Sequence, residues 1–126
     1  MIKILIICIG GSLGAALRYL VSSKINDSHN TGFPFGTLAV NVIGCFLIGF
    51  LWHMSDYLNT SENLRLFIFV GLLGAFTTFS TFGFESHYLF SNNSTNLGII
   101  YIVASNLFGI TFVFLGLILS RNIFRV

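Results

Sequence analysis

The residues with the clearest chemical potential lie in an uncharged apolar stretch, residues 66–84, whose centre is rich in glycine, threonine and serine. One or two hydroxyls in a membrane helix usually bond to carbonyls of their own preceding turn. Four hydroxyls within five residues go further, because together with a glycine they can interrupt the helix and free carbonyl oxygens that coordinate small cations. The hydroxyls belong to Thr77, Thr78, Ser80 and Thr81, and they lie between Gly74 and Gly83.

Three phenylalanines, Phe76, Phe79 and Phe82, alternate with these hydroxyls. An aromatic stripe is usually core packing, but here polar side chains are inserted into it. Because a phenyl ring is electropositive at its edge, ring edges and hydroxyls can together solvate an anion without a fixed positive charge. Such a path would hold an anion weakly enough to release it, as conduction requires.

Further polar side chains fall inside apolar stretches, and each has two interpretations. The amide of Asn41 needs a partner in a lipid environment, which is either another helix or the permeating species. Ser105 and Asn106 have the same ambiguity. Tyr101 precedes Ser105 by four residues, so we expect both on one face of a helix.

Two charged residues lie near the ends of apolar stretches. Arg18 either extends its guanidinium to the lipid headgroups or draws anions into a vestibule. Glu85 lies about 13 Å from the middle of its stretch at helical rise, which predicts a position near the interface. Its carboxylate is either solvated or paired with a helix, or it acts as a gate or proton-sensitive group.

The sequence offers little basis for an enzyme. Its three histidines form no metal-ligand spacing, and it contains no nucleophile–base pair, phosphate-binding loop or paired carboxylates. A net charge of +2 is too small to indicate a nucleic-acid partner. We therefore expect a non-enzymatic protein.

The elements that must position these residues are membrane-spanning helices. Of 126 residues, 55% are hydrophobic and only 8% are charged, whereas a soluble domain has about a quarter charged residues. We predict an all-α membrane protein with one domain, residues 1–126, and a break in its third helix. The four predicted spans are about 2–21, 36–54, 64–88 and 97–120.

The positive charges specify the orientation of these spans only weakly. Four spans put both termini on one side, where we count Lys3, Arg65, Arg121 and Arg125 against Arg18 and Lys24 on the other. A bias of 4 − 2 = 2 charges is slight under the positive-inside rule. A chain with so little bias could insert both ways, and four short helices hardly enclose a pore alone, so we expect an oligomer, for which an antiparallel arrangement is one option.

Three segments resemble the Fluc/CrcB family of fluoride channels. Residues 10–19, GGSLGAALRY, resemble the family's GGxxGAxxRY opening, and residues 36–49, GTLAVNVIGCFLIG, resemble its GTLxVNxxGxFxxG second helix. Residues 71–82, GLLGAFTTFSTF, resemble its GxxGxxTTFSTF third helix, and the spacing of Tyr101, Ser105 and Gly109 is similar to its fourth. Gly109 is a departure, because some relatives carry a hydroxyl there.

The resemblance implies a dual-topology, antiparallel homodimer of four-helix subunits in the bacterial cytoplasmic membrane. It implies two parallel pores that export fluoride passively and so relieve fluoride toxicity, with a structural sodium ion at the dimer centre. By the same resemblance, the backbone carbonyls of Gly74 and Thr77 hold the sodium, Arg18 lies near a vestibule and Glu85 near one pore end. The pore would be lined by Asn41, Phe79, Phe82, Ser80, Thr81, Tyr101 and Ser105.

Two other functions stay open at the level of sequence. A small proton-coupled multidrug exporter would need an essential carboxylate, for which Glu85 is the candidate. A structural membrane protein without transport activity would tolerate loss of Asn41 and Phe82.

Overall fold

The computed structural model describes residues 1–29 and 32–124, and over these ranges the regular structure is helical throughout. Four helical stretches are long and apolar enough to cross a membrane, which confirms the predicted number of spans. They are Ile2–Ser28, Phe35–Tyr57, Glu62–Ser91 and Thr95–Ile123. The elements are α1 (Ile2–Ser28), α2 (Phe35–Tyr57), α3 (Glu62–Arg65), a π-helical segment (Leu66–Leu73), α4 (Gly74–Phe76), α5 (Phe79–Ser91) and α6 (Thr95–Ile123).

All four helical stretches extend past a predicted boundary, and α1 does so most. It continues to Ser28 instead of ending near residue 21. Its last turns carry polar side chains, and the Ser22 hydroxyl donates to the Arg18 carbonyl at 2.7 Å. Apolar content marks only the part of a helix that lies in lipid, whereas backbone hydrogen bonds continue into the interface, so hydropathy underestimates helix length.

The third span contains the predicted break. Helix α4 ends at Phe76, and the backbone of the next two residues, Thr77 and Thr78, is extended (φ −84°, ψ 157° and φ −150°, ψ 122°). Gly74 is itself helical, so the interruption falls on the threonines alone. The π-helical segment that precedes the break has no counterpart in the sequence prediction. Helices with i→i+5 bonds are rare and frequently occur at functional sites.

Glycines allow the spans to approach closely. A side chain at Gly14 of α1 would collide with the Leu72 carbonyl, and one at Gly116 of α6 would collide with the Phe46 carbonyl. Small residues at such crossings let helices pack in lipid, where no hydrophobic force drives them together. Gly14 thus lies where α1 packs against the first half of the third span, and Gly116 lies where α6 packs against α2.

The start of α1, the start of the third span and the last turns of α6 lie at the same end of the helix bundle. Lys3 forms an ion pair with Glu62, and Arg65 forms one with Asp56 at 2.7 Å. At the same end of α2, His53 lies 3.2 Å from the Ser120 hydroxyl of α6. Arg125, which the charge count included, lies outside the described residues.

Candidate functional site

The break in the third span is held by the side chain of Asn41. The Thr78 N–H donates to Asn41 Oδ1 at 2.8 Å, and Asn41 Nδ2 donates to the Thr78 carbonyl at 3.1 Å. This reciprocal pair resembles the exchange between opposed residues of an antiparallel sheet. Asn41 therefore links α2 to the third span, as one of its two interpretations predicts. The second hydrogen of its side-chain NH₂ group can bond a further acceptor.

The hydroxyls after the break form a cap on α5. Thr78 Oγ1 accepts a hydrogen bond from the Thr81 N–H at 3.2 Å, which is the usual role of a threonine at a helix start. It also donates to Thr81 Oγ1 at 3.0 Å and lies 3.4 Å from Ser80 Oγ. Three of the four predicted hydroxyls thus form one cluster at the N-terminus of α5.

Thr77 lies apart from this cluster. Its hydroxyl donates to the Leu73 carbonyl at 3.1 Å, within its own preceding turn. The chain folds this way because a threonine that ends a helix can bond back to the i−4 carbonyl.

The backbone carbonyls of Gly74, before the break, and Thr77, within it, lose the N–H groups that would bond them in a continuous helix. The Thr78 N–H, which would otherwise bond the Gly74 carbonyl, donates to Asn41. The Thr81 N–H, which would otherwise bond the Thr77 carbonyl, donates to the Thr78 hydroxyl. Oxygen atoms freed at the end of a helix suit a hard cation, because helix C-termini carry partial negative charge. The donor set predicted for sodium therefore fits the chemistry of that ion.

A series of aromatic rings runs from the break toward α6. The ring centroids of Phe79 and Phe82 are 5.5 Å apart, and those of Phe82 and Tyr101 are 5.2 Å apart. Phe79 is 81% exposed in the single chain, and Tyr101 is fully buried. Phe76 is buried separately in the core, because the break interrupts the three-residue repeat of the sequence.

Phe79 also borders a cleft between α2 and the third span. The cleft has a volume of about 270 Å³. It is lined by two predicted site residues, Asn41 and Phe79, and by Gly74 and Thr77, whose carbonyls are the predicted sodium ligands. The remaining lining residues are Gly44, Cys45, Ile48, Phe69, Leu73 and Thr78.

Glu85 is half-buried and bonded to two neighbouring helices. Thr37 of α2 donates to its Oε1 at 2.8 Å, and the Tyr101 hydroxyl of α6 donates to its Oε2 at 2.7 Å. The sequence analysis did not select Thr37. The available signal was its position four residues before Asn41, which places both on one face of α2.

Ser105 and Asn106 of α6 lie on different faces of the helix. Ser105 lies one turn after Tyr101, and its buried hydroxyl has no hydrogen-bond partner within residues 1–29 and 32–124. A buried polar group without a partner is costly, so this hydroxyl is suited to a ligand. Asn106 is exposed and bonds only the Ile102 carbonyl of its own helix at 2.8 Å.

Arg18 lies in a separate cleft of about 200 Å³ between α1, α2 and the third span. Its side chain is half-buried, and the cleft also exposes the predicted site residue Thr81 and the glutamate partner Thr37. Its other lining residues are Ala15, Tyr19, Ser22, Val40 and Thr78. A guanidinium among hydroxyls is a favourable environment for an anion.

The sequence of this chain is similar to a family model and to several curated proteins. The family model described as "CrcB-like protein, Camphor Resistance (CrcB)" matches residues 5–117. The chain is 46% identical to the "Fluoride-specific ion channel FluC" of Parabacteroides distasonis, over 98% of this chain and 96% of that protein. It is 44% identical to the protein of the same name from Agrobacterium fabrum, over 98% of this chain and 100% of the relative. The Aquifex aeolicus protein of that name is 39% identical over 93% and 95%.

Proposed function

The chain belongs to the family of CrcB-like proteins, and from this membership we propose that it is a channel that conducts fluoride passively across the bacterial cytoplasmic membrane. It is a multi-pass membrane protein with four spanning helices. The relatives are named ion channels rather than enzymes, in agreement with a sequence that offers no catalytic arrangement.

The observation that carries this proposal is the series of rings next to a buried hydroxyl that has no hydrogen-bond partner among the residues the structure describes. Phe79, Phe82 and Tyr101 are in successive contact, and Ser105 lies one turn along from Tyr101. Ring edges and hydroxyls are weak donors, which can replace part of the hydration shell of a small anion without trapping it. In this proposal Asn41 contributes the remaining hydrogen of its amide.

The route begins, in our proposal, at the cleft that contains Arg18. The guanidinium raises the local concentration of anions. Thr81 lines this cleft, and its hydroxyl belongs to the cluster at the N-terminus of α5. Ser80 belongs to the same cluster. Glu85, with both carboxylate oxygens bonded to hydroxyls, lies near one end of the route in this proposal.

We propose that two chains form an antiparallel homodimer with two pores. Phe79 is 81% exposed although it borders the cleft beside Asn41, and a second copy would cover it. The weak charge bias between the two sides supports insertion in both orientations. The carbonyls of Gly74 and Thr77 from each chain would then give four oxygen ligands to a sodium ion between the chains.

Passive conduction would remove fluoride from a cell whose membrane is negative inside. Hydrogen fluoride crosses lipid as a neutral acid and dissociates in the cytoplasm, and the membrane potential then drives the anion outward through a selective leak. A charge moving through 100 mV gains about 2.3 kcal/mol. The channel therefore needs no coupling ion in this proposal.

Fluoride efflux from liposomes tests the proposal directly. The purified protein is placed in vesicles loaded with potassium fluoride, valinomycin is added, and a fluoride electrode records the release. We expect rapid release of fluoride and negligible release of chloride from matched chloride-loaded vesicles. Phe79→Ile and Phe82→Ile should abolish the release because they remove ring edges.

Phe84→Ile is the matched control, because Phe84 lies on the same helix but is 69% exposed and outside the series of ring contacts described above. It should retain fluoride efflux. An absence of fluoride release from folded protein, or equal release of chloride, would contradict the channel. Loss of transport in Glu85→Gln with retention in Phe79→Ala would favour a proton-coupled exporter.

A further inference from the structure

We propose that a recess between the end of α1, the start of α2 and Glu85 is the mouth of the ion pathway, and that Phe33 is the aromatic residue that lines it. This inference rests on the proposed function, because it extends the same route. The recess has a volume of about 300 Å³. It is lined by Asn26, His29, Gly32, Phe33, Pro34 and Glu85.

Phe33 continues the series of rings toward water. Its ring meets that of Tyr101 edge to face, with centroids 5.5 Å apart and planes at 82°. Tyr101 in turn contacts Phe82 at 5.2 Å, and Phe82 contacts Phe79 at 5.5 Å. Four rings therefore connect the break in the third span to the recess, and an anion that follows ring edges is led to Phe33.

The recess is open to solvent at one end and contacts the pathway at the other. Gly32 and His29 are exposed, Phe33 is half-buried, and Tyr101 behind it is fully buried. This decrease in solvent exposure suits the mouth of an ion path, because an ion must lose its hydration in steps as it enters a narrow path.

The backbone fixes Phe33 in place. Gly32 has φ +72°, a conformation that favours glycine, and Pro34 restricts the preceding residue to extended backbone. The end of α1 is tied to the start of α2 where Asn26 Oδ1 accepts the Gly36 N–H at 2.8 Å. Phe33 thus lies between two conformationally restricted residues, just before the start of α2.

The carboxylate in the recess is compatible with an anion route because both of its oxygens already accept hydrogen bonds. Thr37 and Tyr101 donate to them at 2.8 and 2.7 Å. Hydroxyl donors disperse the negative charge of Glu85, and Phe33 brings an aromatic ring, which is electropositive at its edge, to the same recess. The described residues that line the recess include no lysine or arginine, whose charge would hold a small anion tightly.

Cysteine substitution tests the inference. Cys8 and Cys45 are replaced by alanine, Phe33→Cys and His29→Cys are made separately in this background, and each protein is reacted in liposomes with a charged, membrane-impermeant methanethiosulfonate reagent on both faces. We expect the reaction to remove most of the fluoride efflux from both variants, because a charged adduct fills the recess. Reagent on the outside alone should remove about half, because the two mouths of an antiparallel dimer face opposite sides.

Ser28→Cys is the matched control. Ser28 is exposed, adjacent to His29 and outside the recess, so its modified form should conduct normally. Mass spectrometry establishes that each cysteine has reacted. If Phe33→Cys does not fold, His29→Cys decides the result.

The outcomes separate the mouth from the channel itself. If the unsubstituted protein carries no fluoride although it is folded, the proposed function is wrong. If it carries fluoride but modified Phe33→Cys and His29→Cys conduct fully, resist modification, or are blocked no more than modified Ser28→Cys, the recess is not the mouth.

Discussion

At Thr78 the backbone N–H and carbonyl both bond to the side chain of Asn41, at 2.8 and 3.1 Å. A single amide thereby satisfies both backbone polar groups of Thr78, the second residue of the interruption. In lipid such groups have no water to bond, so the break and the asparagine depend on each other. Asn41 is for this reason as important to the shape of the proposed pathway as to its proposed lining.

We expect Asn41→Ala to lower the thermal stability of the protein in detergent and to abolish fluoride efflux. The substitution leaves a buried donor and a buried acceptor of Thr78 unpaired, and each unpaired group lowers the free energy of unfolding by about 1–3 kcal/mol. The measurement is the midpoint of thermal unfolding, followed by the fluorescence of Trp52, the single tryptophan.

Asn106→Ala is its control, because Asn106 is exposed and bonds only its own helix. It should leave the midpoint almost unchanged. Equal midpoints for Asn41→Ala and the unsubstituted protein would show that the amide does not support the break.

At the scale of elements, the third span is two helices that meet end to end. The carbonyl end of α4 and the N-terminus of α5 face the same two-residue interruption, Thr77 and Thr78. Their dipoles favour a cation on one side of the break and an anion on the other. One interruption can therefore serve both the proposed sodium site and the proposed fluoride path.

Purification in sodium-free buffer tests the cation site. We expect the folded dimer to retain one sodium ion for every two chains, detected by elemental analysis, because the freed carbonyls of Gly74 and Thr77 are poorly satisfied without it. If sodium can be removed, the unfolding midpoint should fall and fluoride efflux should be lost, and both should return on addition of sodium. Full efflux and an unchanged midpoint in protein shown to lack sodium would contradict the site.

At the scale of the whole molecule, much of the apolar surface faces outward. Few apolar side chains are buried within the single chain, and large ones such as Phe79, Val103 and Ile110 are exposed. Lipid covers such a surface, so stability rests on close helix crossings, and the clefts beside Asn41 and Arg18 lie open in one subunit. The proposed second copy would complete them.

Labelling from one side of the cell membrane tests dual topology. Ser28→Cys and Asn63→Cys, in the background without Cys8 and Cys45, lie at opposite ends of the bundle. An impermeant reagent applied outside should label about half of each variant, and all of each after detergent is added. Complete labelling of one variant and none of the other would establish a single orientation.

The sequence alone predicted the four spans, the broken third helix and the family. These properties are local, because desolvation selects long apolar runs, and clustered threonines weaken one helix at one place. The family motifs are likewise read from short segments. Of the proposed pore residues, Phe79, Phe82 and Tyr101 were selected in this way before their contacts were known.

Only the tertiary structure decided which partners those residues have. Thr37 bonds Glu85 across 48 positions, Asn41 bonds Thr78 across 37, and Phe33 reaches Tyr101 from a connector. Such contacts depend on how the helices cross, which glycines such as Gly14 permit but local patterns do not specify. A residue's face on its own helix can be read from spacing, whereas the group opposite that face is set by packing.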